Sequence, residues 1–277
     1  MLSEQLDKLA DKSAKAFYNP FIEFDWPAQI DTNSYWMSPE LLTVYNTKFE
    51  KELSEEQLIK LSQLEAVHFF SLNIFGIKEL MTSVIDAIHT SEFKDASRYF
   101  HHFIGEENVH MWFFSEFCNR YGGKIYVSMD SRFKSDEPKE IFDLITFSRI
   151  YVFERMVAYF NKYMKDDARL DPIIQKINMV HFNEESRHIA MGEAVIKEWV
   201  ERVTDKYGVD RLDSVGKYLK EYAQYCVSSL YNPAVYRDLG LVDAYSIRRA
   251  LLADPARQEF NEMLIDQGIR YIERLGL

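Results

Sequence analysis

The chain has 277 residues, 47% of them apolar and 15% aromatic, enough to bury the core of one large domain. Its 33 basic and 44 acidic residues leave a formal charge of −11, which excludes the electrostatic footprint of a nucleic-acid binder and provides no basic run for an anionic membrane. With 10 Gly, 7 Pro and 2 Cys, the chain lacks the turn punctuation of an all-β fold, the cysteines of a disulfide scaffold and the thiolates of a cysteine-rich zinc site.

Met1 to Lys12 is charged and polar with no apolar stretch, so no secretory signal is expected there. Cys118 and Cys226 suit buried thiols in a reducing, cytoplasmic compartment. Up to about Trp36, scattered Pro, Asn and aromatic residues predict an arm packed onto the body. The run Ser54-Glu55-Glu56-Gln57 is a capping box, and apolar residues then recur at helical spacing through Ile88, which predicts a first long helix. A second is predicted from about Glu92 to Tyr121, stopped by Gly122-Gly123. Lys124 to Met129 suits a short strand or an extended loop, and a third helix is expected from about Pro138 to Met164. Asp171-Pro172 opens a fourth, running to about Val203, because Asp caps a helix and Pro is tolerated at its first position. Shorter helices over Arg211 to Leu230, Asp243 to Leu252 and Pro255 to Leu275 should flank these four, with a break at Asn232-Pro233. Ala66 to Ile77 and Tyr151 to Phe160 are the most apolar stretches, and both fall short of the ~18 residues a membrane span needs.

One internal similarity carries chemistry. Glu106-Glu107-Asn108-Val109-His110 recurs as Glu184-Glu185-Ser186-Arg187-His188, so the second and fourth helices share a Glu-Glu-x-x-His pattern. Residues three apart on a helix share a face, so Glu107 with His110 and Glu185 with His188 each present a carboxylate beside an imidazole. Glu65 lies within the largely apolar first helix and Glu154 within the run Ile150-Tyr151-Val152-Phe153 of the third. A Glu on each of two helices with Glu-x-x-His on the other two is the ligand arrangement of a dinuclear metal site in a four-helix bundle. Glu154 inside an aromatic run would lose several kcal/mol on desolvation if left unpaired. Two divalent ions balance the four carboxylates Glu65, Glu107, Glu154 and Glu185, with neutral His110 and His188 as nitrogen ligands. Carboxylate-rich ligation without thiolates suits iron or manganese, and iron is expected. His181 lies one turn before Glu185, where the other half has Phe103, so one metal is expected to gain an extra imidazole.

With His181 included, the order Glu65, Glu107-x-x-His110, Glu154, His181-x-x-x-Glu185-x-x-His188 resembles the ferritin-like di-iron N-oxygenases typified by p-aminobenzoate N-oxygenase and the arylamine oxygenase of chloramphenicol biosynthesis. The resemblance spans about residues 54 to 200. It implies an all-α, ferritin-like four-helix bundle core over 54–203, an N-terminal arm and flanking helices over 204–277, together forming one di-iron oxygenase domain. It also implies O2-dependent oxidation of a primary arylamine to hydroxylamine, nitroso or nitro product in secondary metabolism. The further expectations are two iron ions, an external electron donor such as a reductase or ferredoxin, a free or carrier-tethered amine substrate and a homodimer.

Two other readings of the same residues are a di-iron hydroxylase or desaturase acting on C–H bonds and an iron-storage module. His68 faces the same way as Glu65 but stands outside the ligand pattern, and His89, His101 and His102 are expected to be ordinary helical residues. Glu106 and Glu184 point about 100° from their neighbouring ligands and should pair with Arg or face solvent. Phe69, Phe70, Phe113, Phe114, Tyr151 and Phe153 could line a pocket for a planar substrate, but core packing explains them and they are expected in the core. Arg248 and Arg249 are expected at the surface.

Overall fold

The computed structural model describes residues 2–127 and 136–277. The arm opens with a helix that the scattered composition obscured, α1 (Leu2–Ala16), followed by the short α2 (Pro20–Glu23) and α3 (Lys48–Glu52). Leu6, Leu9, Ala10 and Ser13 form its buried stripe, and it lies against the second and fourth long helices. Arg98 grips its outer face through Asp7 and Asp11.

α4 (Glu55–Ala87) starts at the predicted box: the Gln57 N–H donates to Ser54 Oγ at 3.2 Å and the Ser54 N–H to Gln57 Oε1 at 3.0 Å. α5 (Ser97–Phe117) begins five residues later than the sequence suggests. Before it, Phe93 is driven into the core, stacking on Trp199 at 4.3 Å and packing on Phe147 at 4.9 Å, and the chain reaches this position through turns. α5 ends in one π-helical turn, Cys118–Gly122, closed by Gly123 at φ +65°. Lys124 to Val127 has no regular structure, and Ser128 and Met129 of the expected strand or loop lie outside the described residues. No strand occurs among the described residues.

α6 (Lys139–Met164) and α7 (Pro172–Tyr207) pack along their lengths and complete the bundle. Asp171 caps α7 by accepting the Ile173 N–H, and Gly208 at φ +86° ends it one turn beyond the expected Val203. α8 (Asp210–Ser229), α9 (Pro233–Asp238), α10 (Ala244–Ala253) and α11 (Pro255–Arg274) follow, with α8 and α11 laid over α6 and α9 against α4. Both cysteines are free thiols, Cys118 buried and Cys226 half-buried. No helix among the described residues is long and apolar enough to cross a membrane.

Three contacts set the height of α4 against α6. Phe69 stacks on Phe160 at 4.8 Å, a Cβ at Gly76 would collide with the Phe153 ring, and Arg149 pairs with Glu79 at 2.6 Å. The helices are therefore antiparallel, with Glu154 level with about residue 75 of α4. Against α5, Phe70 packs on both Phe114 and Phe117 at 5.0 Å, and the Cys118 thiol donates to the Val67 carbonyl, which brings His110 level with about residues 74 to 77.

Candidate metal centre

The two Glu-Glu-x-x-His repeats meet in the middle of the bundle, where Glu107, His110, Glu185 and His188 present ligand atoms within 4.8 Å of one another, all buried. His188 Nδ1 lies 3.0 Å from Glu107 Oε1 and 3.1 Å from Glu185 Oε2. His110 Nδ1 lies 3.2 Å from Glu107 Oε2 and 3.3 Å from Glu185 Oε1. Each carboxylate thus faces both imidazoles. Glu154, 1% exposed, reaches the cluster from α6: burial first, then the charges of Glu185 and Glu107, hold its carboxyl well above the usual carboxylate range. His181 enters from the turn before Glu185, its Nε2 3.0 Å from Glu185 Oε1.

Six of the seven residues singled out by sequence therefore converge. The seventh does not. Glu65 is buried but sits roughly 15 Å along α4 from the level of Glu154, about ten residues at 1.5 Å each. There it accepts the Thr43 N–H at 2.9 Å and the Thr43 hydroxyl, with Tyr236 donating to that hydroxyl's oxygen at 3.0 Å. The expected hairpin geometry fails because its two arms are unequal: Glu65 lies 22 residues before the end of α4 at Ala87, whereas Glu107 lies 10 residues after the start of α5 at Ser97.

The outer glutamates have a role that adjacency in sequence hid. Glu106 of α5 accepts His188 Nε2–H at 2.9 Å, and Glu184 of α7 accepts His110 Nε2–H at 2.7 Å. In each repeat the second Glu faces the cluster while the first orients the histidine of the other repeat, turning both Nδ1 atoms inward. Such outer partners fix the tautomer and aim of a metal-binding imidazole. Arg187 bonds Glu106 at 2.6 Å, lies 3.6 Å from Glu184 and is anchored to α1 by the Ser13 hydroxyl at 3.0 Å. Burial opposes ionisation of Glu106, but His188 and Arg187 hold its pKa down at about 2. The Asn161 amide lies 2.6 Å from His181 Nδ1, the third imidazole's outer partner.

The residues present fit a cationic metal pair. Glu107 Oε1, Glu154 Oε1, Glu185 Oε1 and His181 Nε2 are buried without a hydrogen-bond partner, since the neighbouring groups approach at spacing but not at angles that make bonds. Burial works against the imidazoliums of His110 and His188, yet the surrounding carboxylates push both well above the ordinary histidine range. Three carboxylates and three imidazoles with no thiolate suit iron or manganese.

The remaining candidates fall outside this cluster. His68 is buried, one ring nitrogen 2.8 Å from the Ser229 carbonyl oxygen, and burial lowers its pKa to about 4. His89 and His101 face each other near the surface. Arg248 donates to the carbonyls of Tyr231 and Ser228, and Arg249 to the Ser246 hydroxyl. Phe113 and Phe114 wall His181, with Phe114 at 4.9 Å. A cavity of about 570 Å³ lies between α4, α6 and α8, and Phe69, Gly76, Phe153 and Val157 line the wall that runs past Glu154. Phe69 and Phe153 thus serve a cavity as well as the core.

Compared with known proteins, the chain matches the family described as P-aminobenzoate N-oxygenase AurF over residues 2–276. No curated protein matches it. Among solved structures, a variant R2-like ligand-binding oxidase with an aerobically reconstituted Mn/Fe cofactor aligns with TM-score 0.50 and 16% identity, covering 96% of this chain and 92% of that one. The R2-like ligand-binding oxidase from Sulfolobus acidocaldarius aligns at TM-score 0.47 and 16% identity, covering 98% and 90%.

Proposed function

Since the chain belongs to the P-aminobenzoate N-oxygenase AurF family and is a di-iron oxygenase with an all-α, ferritin-like fold, we propose that it oxidises the nitrogen of a primary arylamine with O2. The observation that supports this reading best is the third imidazole, His181, aimed at Glu185 within the cluster. The proposed ligands are Glu107, His110, Glu154, His181, Glu185 and His188. A bound di-iron centre supplies the redox chemistry that activates oxygen. The protein's share is positioning: Glu106 and Glu184 aim two imidazoles, and Asn161 holds the third. Phe103, 4.5 Å from His188, and Phe114 exclude water from the flanks.

The cavity beside Phe153 supplies an aromatic-walled space for a planar amine, free or carrier-tethered. Electrons come from an external reductase or ferredoxin, the product is a hydroxylamine, nitroso or nitro compound of secondary metabolism, and the enzyme works in the cytoplasm as a homodimer. Iron is the proposed metal, and the Mn/Fe cofactor of the oxidase relative makes manganese the alternative that metal analysis should resolve. The test is mass spectrometry of products after reduced, iron-loaded protein meets isotopically labelled O2 and a panel of arylamines. N–O products carrying the label are expected. Products oxidised only at carbon would move the reading to a C–H hydroxylase or desaturase, and iron uptake without turnover to a storage protein.

A further inference from the structure

With Glu65 displaced, α4 contributes no carboxylate at the level of the cluster: Ala66 to Lys78 contains no Asp or Glu. We infer that Asn73 takes that place and binds metal through its amide oxygen. Asn73 is fully buried. Its Nδ2 donates to the Phe69 carbonyl at 2.8 Å, which directs Oδ1 away from the helix backbone, and Oδ1 has no hydrogen-bond partner. An amide flip would set oxygen against the Phe69 carbonyl oxygen, so the assignment is chemically determined.

The direction follows from the helix. Phe69 and Gly76 face α6, whereas Phe70 faces α5. Asn73 is four residues past Phe69 and three past Phe70, so at about 100° per residue it points between those two directions, into the bundle. Asn73 lies about two residues, roughly 3 Å, from the level of Glu154 on α6 and one to four residues from that of His110 on α5. A buried oxygen acceptor without a donor, aimed into a group of carboxylates and imidazoles, is stabilised by a cation and costs free energy without one.

The donor set then comprises three carboxylates, three imidazoles and one neutral amide oxygen. Three negative charges face two divalent ions, so one ion, on the α4 side, is held more weakly than the other. This inference rests on the di-iron reading, and the test separates the two. Ferrous ion is titrated anaerobically into the whole protein and into the Asn73→Ala and Asn73→Asp variants, with stoichiometry from metal analysis, affinity from a competing chelator and iron environments from Mössbauer spectra. Wild type should take up two irons. Asn73→Ala should weaken the more loosely held ion about tenfold or more, and Asn73→Asp, of the same shape but anionic, should tighten it by a similar factor. The spectrum should change for one iron only. Wild-type affinity and an unchanged spectrum in Asn73→Ala would overturn the inference while leaving the centre intact. If that variant does not fold, an Asn73→Asp protein with unchanged or weaker binding overturns it. Wild-type protein that takes up no iron overturns the di-iron reading as well.

Discussion

Enclosed beside Thr43 and Tyr236, the Glu65 carboxyl is pushed up by burial to about 7 from an ordinary 4.5, despite the two bonds from Thr43 that favour its ionised form. In the unfolded chain it ionises near the ordinary value, so between about pH 4.5 and 7 the folded protein binds the extra proton. Its contribution is therefore fully present below pH 4.5 and lost as pH rises through 7. Glu65→Gln keeps an oxygen for the Thr43 N–H without a charge. Urea unfolding at pH 8 should find this variant more stable than wild type by on the order of 3 kcal/mol, with the gap closing towards pH 4.5. Iron stoichiometry should not change, and loss of an iron in this variant would return Glu65 to the ligand set. Glu106 and Glu184 act on the metal site through the histidines they hold. Removing either in Glu106→Ala or Glu184→Ala should lower iron affinity about 10- to 100-fold in a chelator competition. Because the two bonds are reciprocal, the losses should be alike, and a loss confined to one variant would break the symmetry argument.

Between elements, α4 meets α6 at Gly76, where the Phe153 ring occupies the space a side chain would need. Phe153 precedes Glu154, and both Gly76 and Phe153 line the cavity. Gly76→Ala must push the ring or the helix pair apart, at a cost of about 1–3 kcal/mol typical of overpacking. A thermal melt should show the loss, and the same variant should reduce turnover of bulky arylamines more than small ones. Unchanged melting with unchanged selectivity would show that the ring moves freely. Gly122 meets Val67 in the same manner at the π-helical turn, which explains why α5 ends against α4 at that point.

For the whole molecule, the carboxylate and imidazole ligands lie on α5, α6 and α7 and Asn73 on α4, so a metal pair cross-links the four bundle helices. A ligand that binds only the folded state stabilises it in proportion to the logarithm of its concentration over Kd. Iron loading should therefore raise the melting temperature by several degrees, at roughly 2–4 °C per kcal/mol for a chain of this size. Glu107→Ala and Glu185→Ala should abolish that rise and iron binding together while circular dichroism keeps its helical signal, because Phe93, Trp199, Phe147 and the rest of the aromatic core remain. A rise retained in both variants would refute the assignment of the centre.

Sequence alone determined the helical bundle, its caps at Ser54 and Asp171, the stop at Gly123 and the pairing of Glu107 with His110 and of Glu185 with His188. These depend on spacings of three or four residues within one helix, which backbone geometry converts directly into a shared face. His181 was legible for the same reason, one turn before Glu185 on α7, and Glu154 stood out as a carboxylate inside an apolar run of α6. What passes between helices was not legible. The height of α4 depends on where that helix ends and where α5 begins, and the 22 residues from Glu65 to Ala87 against the 10 from Ser97 to Glu107 leave Glu65 roughly 15 Å from the cluster while Asn73 lies near its level. The helix α1 was obscured because a short amphipathic stripe holds only when it has a body to dock on. The crossed bonds of Glu106 and Glu184 likewise required two helices to be set side by side, since each glutamate serves a histidine more than 70 residues away.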